Sequence, residues 1–181
     1  MTRLQVMELG HPVLRRVAKP ITEARRTSLQ PLMDQLIQTA QQANGVGIAA
    51  PQVGISERLF IVASRPTPRY PHAPVMEPTV MINPQIVSHS AERVKDWEGC
   101  LSVPGVRGLV PRYQAIAVEY TDRYGQHQHQ ELTDFVARIF QHELDHLNGI
   151  LFIDRVESTQ DLISEQDYQE RIVGASWSTE K

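Results

Sequence analysis

A chain of 181 residues, 41% hydrophobic and 22% charged, is long enough for one sizeable core and too apolar to be disordered. Its net charge of −3 gives no general attraction to DNA or to an acidic membrane surface, and no apolar run reaches the length of a membrane span. A single cysteine, Cys100, excludes an intramolecular disulfide and suits a reducing compartment.

The segment Met1–Gln5 lacks the charged-then-apolar pattern of a secretion signal. The expected location is the cytoplasm, or an organelle if a transit peptide has been removed. His11–Val17 reads as a turn with one short helix. From Ser28 to about Ala43, Leu29, Leu32, Met33, Leu36, Ile37 and Ala40 recur at helical spacing, and Asn44-Gly45 ends the helix. Gly45-Val46-Gly47-Ile48-Ala49-Ala50-Pro51-Gln52 then satisfies a loose G-x-G-x-x-A dinucleotide pattern. That reading fails, because a helix precedes it, Pro51 obstructs a following helix, and the next acidic residue suited to a ribose, Glu77, comes too late. What remains is a small-residue segment open to close backbone approach, ending in a carboxamide.

Leu59–Ala63 is a short apolar strand, and residues 64–78, with five prolines, form a surface loop. Val80–Ile82 and Ile86-Val87 read as two strands interrupted by Asn83-Pro84. Around Cys100, Asp96–Gly105 reads as irregular, approachable backbone with a tight Pro104-Gly105 turn. Ala115–Tyr120 alternates cleanly, Asp122–Gly125 turns, and Gln126–Leu132 returns as a partly polar strand. His127 and His129 share one side of it and are read as solvated strand positions. Some helix follows Asp161 through Ile172. Strands in the middle with helices on either side make the fold class α+β.

The stretch Gln141-His142-Glu143-Leu144-Asp145-His146 carries the chemistry. On a helix, H-E-x-x-H sets two imidazoles on one face, able to hold one metal ion, with the intervening Glu as general base. Glu143 falls within the apolar arc of Phe135, Val136, Ile139, Phe140, Leu144 and Leu147, where an unpartnered carboxylate is costly without a function. Asp134, Arg138, Gln141, Asp145 and Asn148 share the other side, and Arg138 and Asp145 are expected to form a salt bridge. Thr133 or Asp134 is the expected N-cap and Gly149 the C′ residue. The competing explanation is a core helix with two satisfied histidines and a salt-bridged Glu.

Two histidines leave a catalytic metal one protein ligand short. The extended motif that adds a third histidine fails, because that position is Phe152. A zinc endopeptidase would use a downstream Glu, and Glu165 stands at a suitable distance. The other candidate is the thiolate of Cys100, which with two imidazoles suits zinc or ferrous iron.

Three segments together resemble the peptide deformylase family: Gly45–Gln52 as G-x-G-Φ-A-A-x-Q, Glu98-Gly99-Cys100-Leu101-Ser102 as E-G-C-L-S, and Gln141–His146 as Q-H-E-x-D-H, in that order. The resemblance implies small antiparallel or mixed sheets packed around a central metal-binding helix, in one catalytic domain (1–173); the sequence itself gives residues 174–181 as a flexible tail. It implies that Cys100, His142 and His146 bind one divalent ion, natively Fe(II), with Zn, Ni or Co able to substitute. The reaction would be removal of the formyl group from N-formyl-methionyl nascent peptides, near the ribosomal exit tunnel. Glu143 would be the general base, and the Gln52 amide and Leu101 backbone N–H would receive the oxyanion. Val46, Gly47, Ile48, Gly99 and Ile139 would contact the peptide, with Val46, Ile48 and Ile139 as candidates for the methionine pocket. Glu98 and Arg107 are expected to pair behind the Cys100 loop or as an ordinary surface ion pair.

Overall fold

Eight strands run through residues 4–174, the portion of the chain that the computed structural model describes: β1 (Gly47–Ala49), β2 (Leu59–Val62), β3 (Thr79–His89), β4 (Arg93–Cys100), β5 (Val103–Tyr113), β6 (Ala115–Thr121), β7 (His127–Thr133) and β8 (Leu162–Ser164). Two sheets result, of order β1-β2-β3-β6-β7 and β4-β5-β8, and every strand pair is antiparallel. Helices α1 (Glu23–Ser28), α2 (Gln30–Gln42) and α3 (Asp134–Leu147) complete the α+β architecture expected from the sequence. Among the described residues no helix is long and apolar enough to cross a membrane.

The larger sheet is covered on both faces, which explains why β2, Leu-Phe-Ile-Val, is buried at every position. Leu59 and Ile61 pack with Met33, Leu36 and Ala40 of α2, whereas Phe60 and Val62 pack with Ala137, Phe140 and Leu147 of α3. Phe140 meets Phe60 edge to face at 5.1 Å between centroids. The smaller sheet closes the far side of α3, with Val103 and Val110 of β5 packed on Leu151 and Phe152.

Helix α3 is therefore buried almost all round, including Arg138, Gln141 and Asp145 on its polar side. Thr133 occupies the N-cap, but its hydroxyl caps nothing, and Asp134 adopts a left-handed φ of 50°. At the other end the Ile150 N–H reaches the Asp145 carbonyl (2.9 Å) and the Gly149 N–H reaches that of His146 (3.3 Å), with Gly149 at φ 72°. This is the glycine-terminated C-cap the sequence predicts.

Four elements differ from the sequence reading. Residues 79–89 form one strand, not two, because Asn83 and Pro84 sit in a bulge between the Ile82 and Gln85 pairings. Asn83 takes φ 49°, and its amide brackets Ile21, accepting from N (2.8 Å) and donating to O (2.9 Å). Residues 93–113 form a long hairpin where irregular backbone was expected around Cys100. Helix α1 was not foreseen; it has six residues and Thr22 as its cap. Finally, part of the region read as C-terminal helix is β8, followed by one α turn (Glu165–Asp167) and a π-helical stretch (Tyr168–Val173). Of the predicted tail, residues 175–181 lie outside the described residues.

Candidate metal centre

Hairpin β4–β5 and helix α3 meet edge-on, and their meeting point gathers the sulfur of Cys100 and the imidazoles of His142 and His146. The donor atoms all lie within 4.8 Å of one another. Cys100 ends β4 at a register shift that follows Gly99, so the strand bends there and aims the thiol at the helix. Its Sγ is 3.3 Å from His146 Nε2. Tetrahedral ligands of a zinc-sized ion stand about 3.3–3.6 Å apart. One thiol and two imidazoles thus fit a divalent transition metal in both spacing and donor chemistry.

A buried ion network stands behind these three side chains. His142 Nδ1 lies 2.9 Å from Glu98 Oε2, and this carboxylate also accepts from Arg112 (2.8 and 3.0 Å) and Arg138 Nη1 (2.9 Å). Arg112 reaches on to Asp145 (2.6 Å), which Arg155 clamps from outside (2.7 Å). Burial alone pushes the Glu98 carboxyl up, but Arg112 and His142 overcome it and hold the group far below the usual carboxylate range. A carboxylate accepting from Nδ1–H fixes the tautomer that leaves His142 Nε2 free to ligate.

Two expected pairings are corrected here. Glu98 does not pair with Arg107: it stands opposite Gly108 in the hairpin, so Arg112, four residues along, shares its face, and Arg107, opposite Gly99, points the other way. Arg138 does not pair with Asp145 either. Seven residues separate them, about 10 Å along the helix axis, although they are neighbours on the wheel. Each finds its partner on the hairpin instead.

Glu143 is 4% exposed, and its Oε2 has no hydrogen-bond partner. Burial raises its carboxyl to about 7; the Glu98 charge adds to this, against the opposing pull of His142 and Arg112. Gly47 makes the position available: a Cβ there would lie 2.9 Å from Glu143 Cδ and closer still to Oε1. His146 is pulled well below its ordinary pKa by burial, His142 and Arg112. Burial also lowers that of His142, but hydrogen bonds with Cys100 and Glu98 outweigh it and leave the group raised.

Gln52, 2% exposed, is held in the short 3-10 turn Ala50–Val53. Its Oε1 accepts from Ala49 N (2.9 Å), and Nε2 points to Ser102 Oγ (3.2 Å) and Cys100 Sγ (3.4 Å). Leu101 and Ser102 form the hairpin turn next to the thiol, and the Ser102 N–H donates to Sγ (3.4 Å). Val46 and Ile139 line a small cavity together with Tyr70 and Phe135, and Glu143 and His142 share its wall. Ile48 is not among them: it is fully buried in the α2 core. Gly99 packs against Arg107, whose guanidinium carbon would lie 2.6 Å from a Cβ at that position.

Glu165 is not a third ligand. Arg107 binds it through Nε (2.6 Å) and Nη2 (3.3 Å), and among the described residues the metal-type cluster is Cys100, His142 and His146. His127 and His129 flank Glu119 at 3.8 and 3.5 Å on the exposed face of β7, as solvated strand positions do.

The polypeptide deformylase sequence pattern matches residues 3–161. The chain belongs to the polypeptide deformylase family. It is 66% identical to peptide deformylase 2 of a Nostoc species, over 93% of this chain and 94% of that one. It is 47% identical to peptide deformylase 2 of Shewanella oneidensis, over 91% and 90%. Among solved structures, a Met-Ala-Ser-bound class I type b peptide deformylase from Acinetobacter baumannii superposes with TM-score 0.83 at 46% identity, covering 86% of this chain and 99% of that one. Peptide deformylases are hydrolases of protein biosynthesis, so the chain is an enzyme. Sequence reasoning missed the support that Arg112, Arg138 and Asp145 give to the Cys100, His142 and His146 cluster. It also assigned no role to Ser102 or Tyr70, although Ser102 lay within a recognised motif.

Proposed function

We propose that this deformylase hydrolyses the formyl group from N-terminal formyl-methionine of new polypeptides, with Cys100, His142 and His146 holding the divalent ion. The carrying observation is the convergence of those three donors beside Glu143, a buried carboxyl raised to about 7. A bound divalent ion lowers the pKa of water toward neutrality and polarises a carbonyl oxygen. Iron(II) is the native ion that the resemblance implies, with zinc, nickel or cobalt as substitutes.

Glu143 takes the proton of the attacking water and returns it to the departing amine, a role suited to a base poised near neutral pH. The Gln52 amide and the Leu101 N–H, next after Cys100 in the chain, supply donors to the oxyanion; losing one such donor costs about 3 kcal/mol of transition-state stabilisation. Strand β1 forms the border of its sheet, so the edge at Val46–Ile48 is available to pair with an extended peptide, and Gly99 is a further peptide contact that the resemblance implies. Val46 and Ile139 then receive the methionine side chain. Work on new chains sets the enzyme in the cytoplasm or an organelle, near the ribosomal exit tunnel.

The test is formate release from formyl-Met-Ala-Ser by protein purified without oxygen, with metal content measured in parallel. Cys100→Ala loses both metal and formate release, whereas Glu165→Ala keeps its metal and still releases formate. Cleavage of internal peptide bonds without formate, abolished by Glu165→Ala, would overturn the proposal.

A further inference from the structure

The proline-rich loop 64–78 lies outside the family motifs, yet one of its side chains enters the site. Tyr70 walls the cavity beside Glu143 and leans on Phe135 at 5.0 Å between centroids. Of the polar groups in that wall, Arg138 is engaged by Glu98 and the Val94 and Val110 carbonyls, and Glu98 by Arg112, Arg138 and His142. The remaining wall, away from His142 and Glu143, is Val46, Ile139, Phe135 and Tyr70, whose rings and branches set its shape.

Tyr70 is held unusually firmly for a loop residue. Its N–H donates to Thr67 O (3.0 Å) and Oγ1 (3.1 Å), and the Thr67 N–H donates back to Tyr70 O (3.1 Å). The ends of the loop are fastened where Ser64 Oγ donates to Pro74 O (2.6 Å) and Met76 N donates to Ser64 O (3.0 Å). The phenol oxygen accepts from Arg107 Nη1 (2.8 Å). Arg107 is 2% exposed, lies under the Tyr168 ring at 4.6 Å, and is gripped by Glu165. Tyr168 in turn donates to the Arg69 carbonyl (3.0 Å). One guanidinium therefore joins the loop, β5 and the C-terminal turns.

Behind Tyr70 lies a second cavity of about 230 Å³, reaching Trp97 and Tyr168. Tyr70 and Phe135 line both cavities and so stand between them. We propose that Tyr70 determines side-chain specificity: its ring ends the pocket for the first residue of the formylated peptide, and Arg107, clamped by Glu165, fixes where that ring stands. This rests on the deformylase reading above. The substrates admitted are formyl peptides whose first side chain is no bulkier than the closed pocket; larger aromatic side chains are excluded by the ring rather than by the backbone.

The experiment compares kcat/KM for formyl-Met-Ala-Ser and formyl-Phe-Ala-Ser in the unmodified enzyme, Tyr70→Ala and Tyr70→Phe. Removing the ring joins the cavities, and the Met-to-Phe ratio falls about tenfold or more. Tyr70→Phe keeps the ring but frees it from Arg107, and the ratio falls about threefold. The ratio is independent of how much active enzyme each preparation contains. An unchanged ratio in Tyr70→Ala overturns the inference while leaving the deformylase reading intact. No formate from either peptide with the unmodified enzyme overturns the reading itself, and the inference with it.

Discussion

Replacing Glu143 by Gln separates what this carboxyl costs the fold from what it gives the chemistry. Its pKa rises from 4.5 to about 7 chiefly through burial, a difference of about 3 kcal/mol. Between those values the folded chain holds a proton that the unfolded chain has released, so stability falls as pH rises. The contribution is fully present below about 4.5 and is lost once the pH has passed through about 7. The amide of the variant does not titrate in this range. In chelator-treated protein the stability of Glu143→Gln relative to the unmodified chain should therefore climb by about 3 kcal/mol from pH 4 to pH 8, or about 6–12 °C in Tm. The other titrating groups are common to both proteins, so the difference between the two Tm curves isolates Glu143. The metal-loaded variant should lose formate release by about 100-fold or more, having no base to take the proton. Parallel Tm curves across that pH range would refute the reasoning, because the carboxyl would then titrate alike in the folded and unfolded chains.

Gly47→Ala places a methyl where the Glu143 carboxyl now sits; formate release should collapse, with about 1–3 kcal/mol lost in a urea titration. Retention of activity would mean that Glu143 has room to move. Glu98→Gln leaves Arg112 and Arg138 buried against a neutral amide, and it should destabilise the fold by about 3–5 kcal/mol. The same variant should weaken metal binding by about 10–100-fold in a competition titration, since His142 loses its orienting carboxylate. Unaltered metal affinity would show that His142 is oriented by packing alone.

What could be read in the sequence was whatever depends on near neighbours. The period of α3, the i,i+4 spacing of His142 and His146, and the Gly149 cap are local, and each stands as expected. The hairpin was hidden because Pro104, Gly105, Gly108 and Pro111 interrupt what is nonetheless strand. Without the hairpin its register was out of reach, and register alone decides that Glu98 meets Arg112 and not Arg107. Tyr70 was illegible for a related reason. A loop's place in a site depends on what fastens it, here an arginine 37 residues away. Asn83-Pro84 looked like a break because those residues usually end strands; the bulge absorbs them, and Asn83 holds the N-terminal segment at Ile21.

The brevity of β1 has a consequence for how the protein behaves in a crowded solution. A bare sheet border is a template for any extended chain, including a second copy of the protein. At three residues, β1 offers only a few main-chain groups to such a chain. Those groups are indifferent to the side chains of whatever pairs with them. For the extended peptide proposed to pair there, a border this short would supply only a few main-chain hydrogen bonds, whatever its side chains.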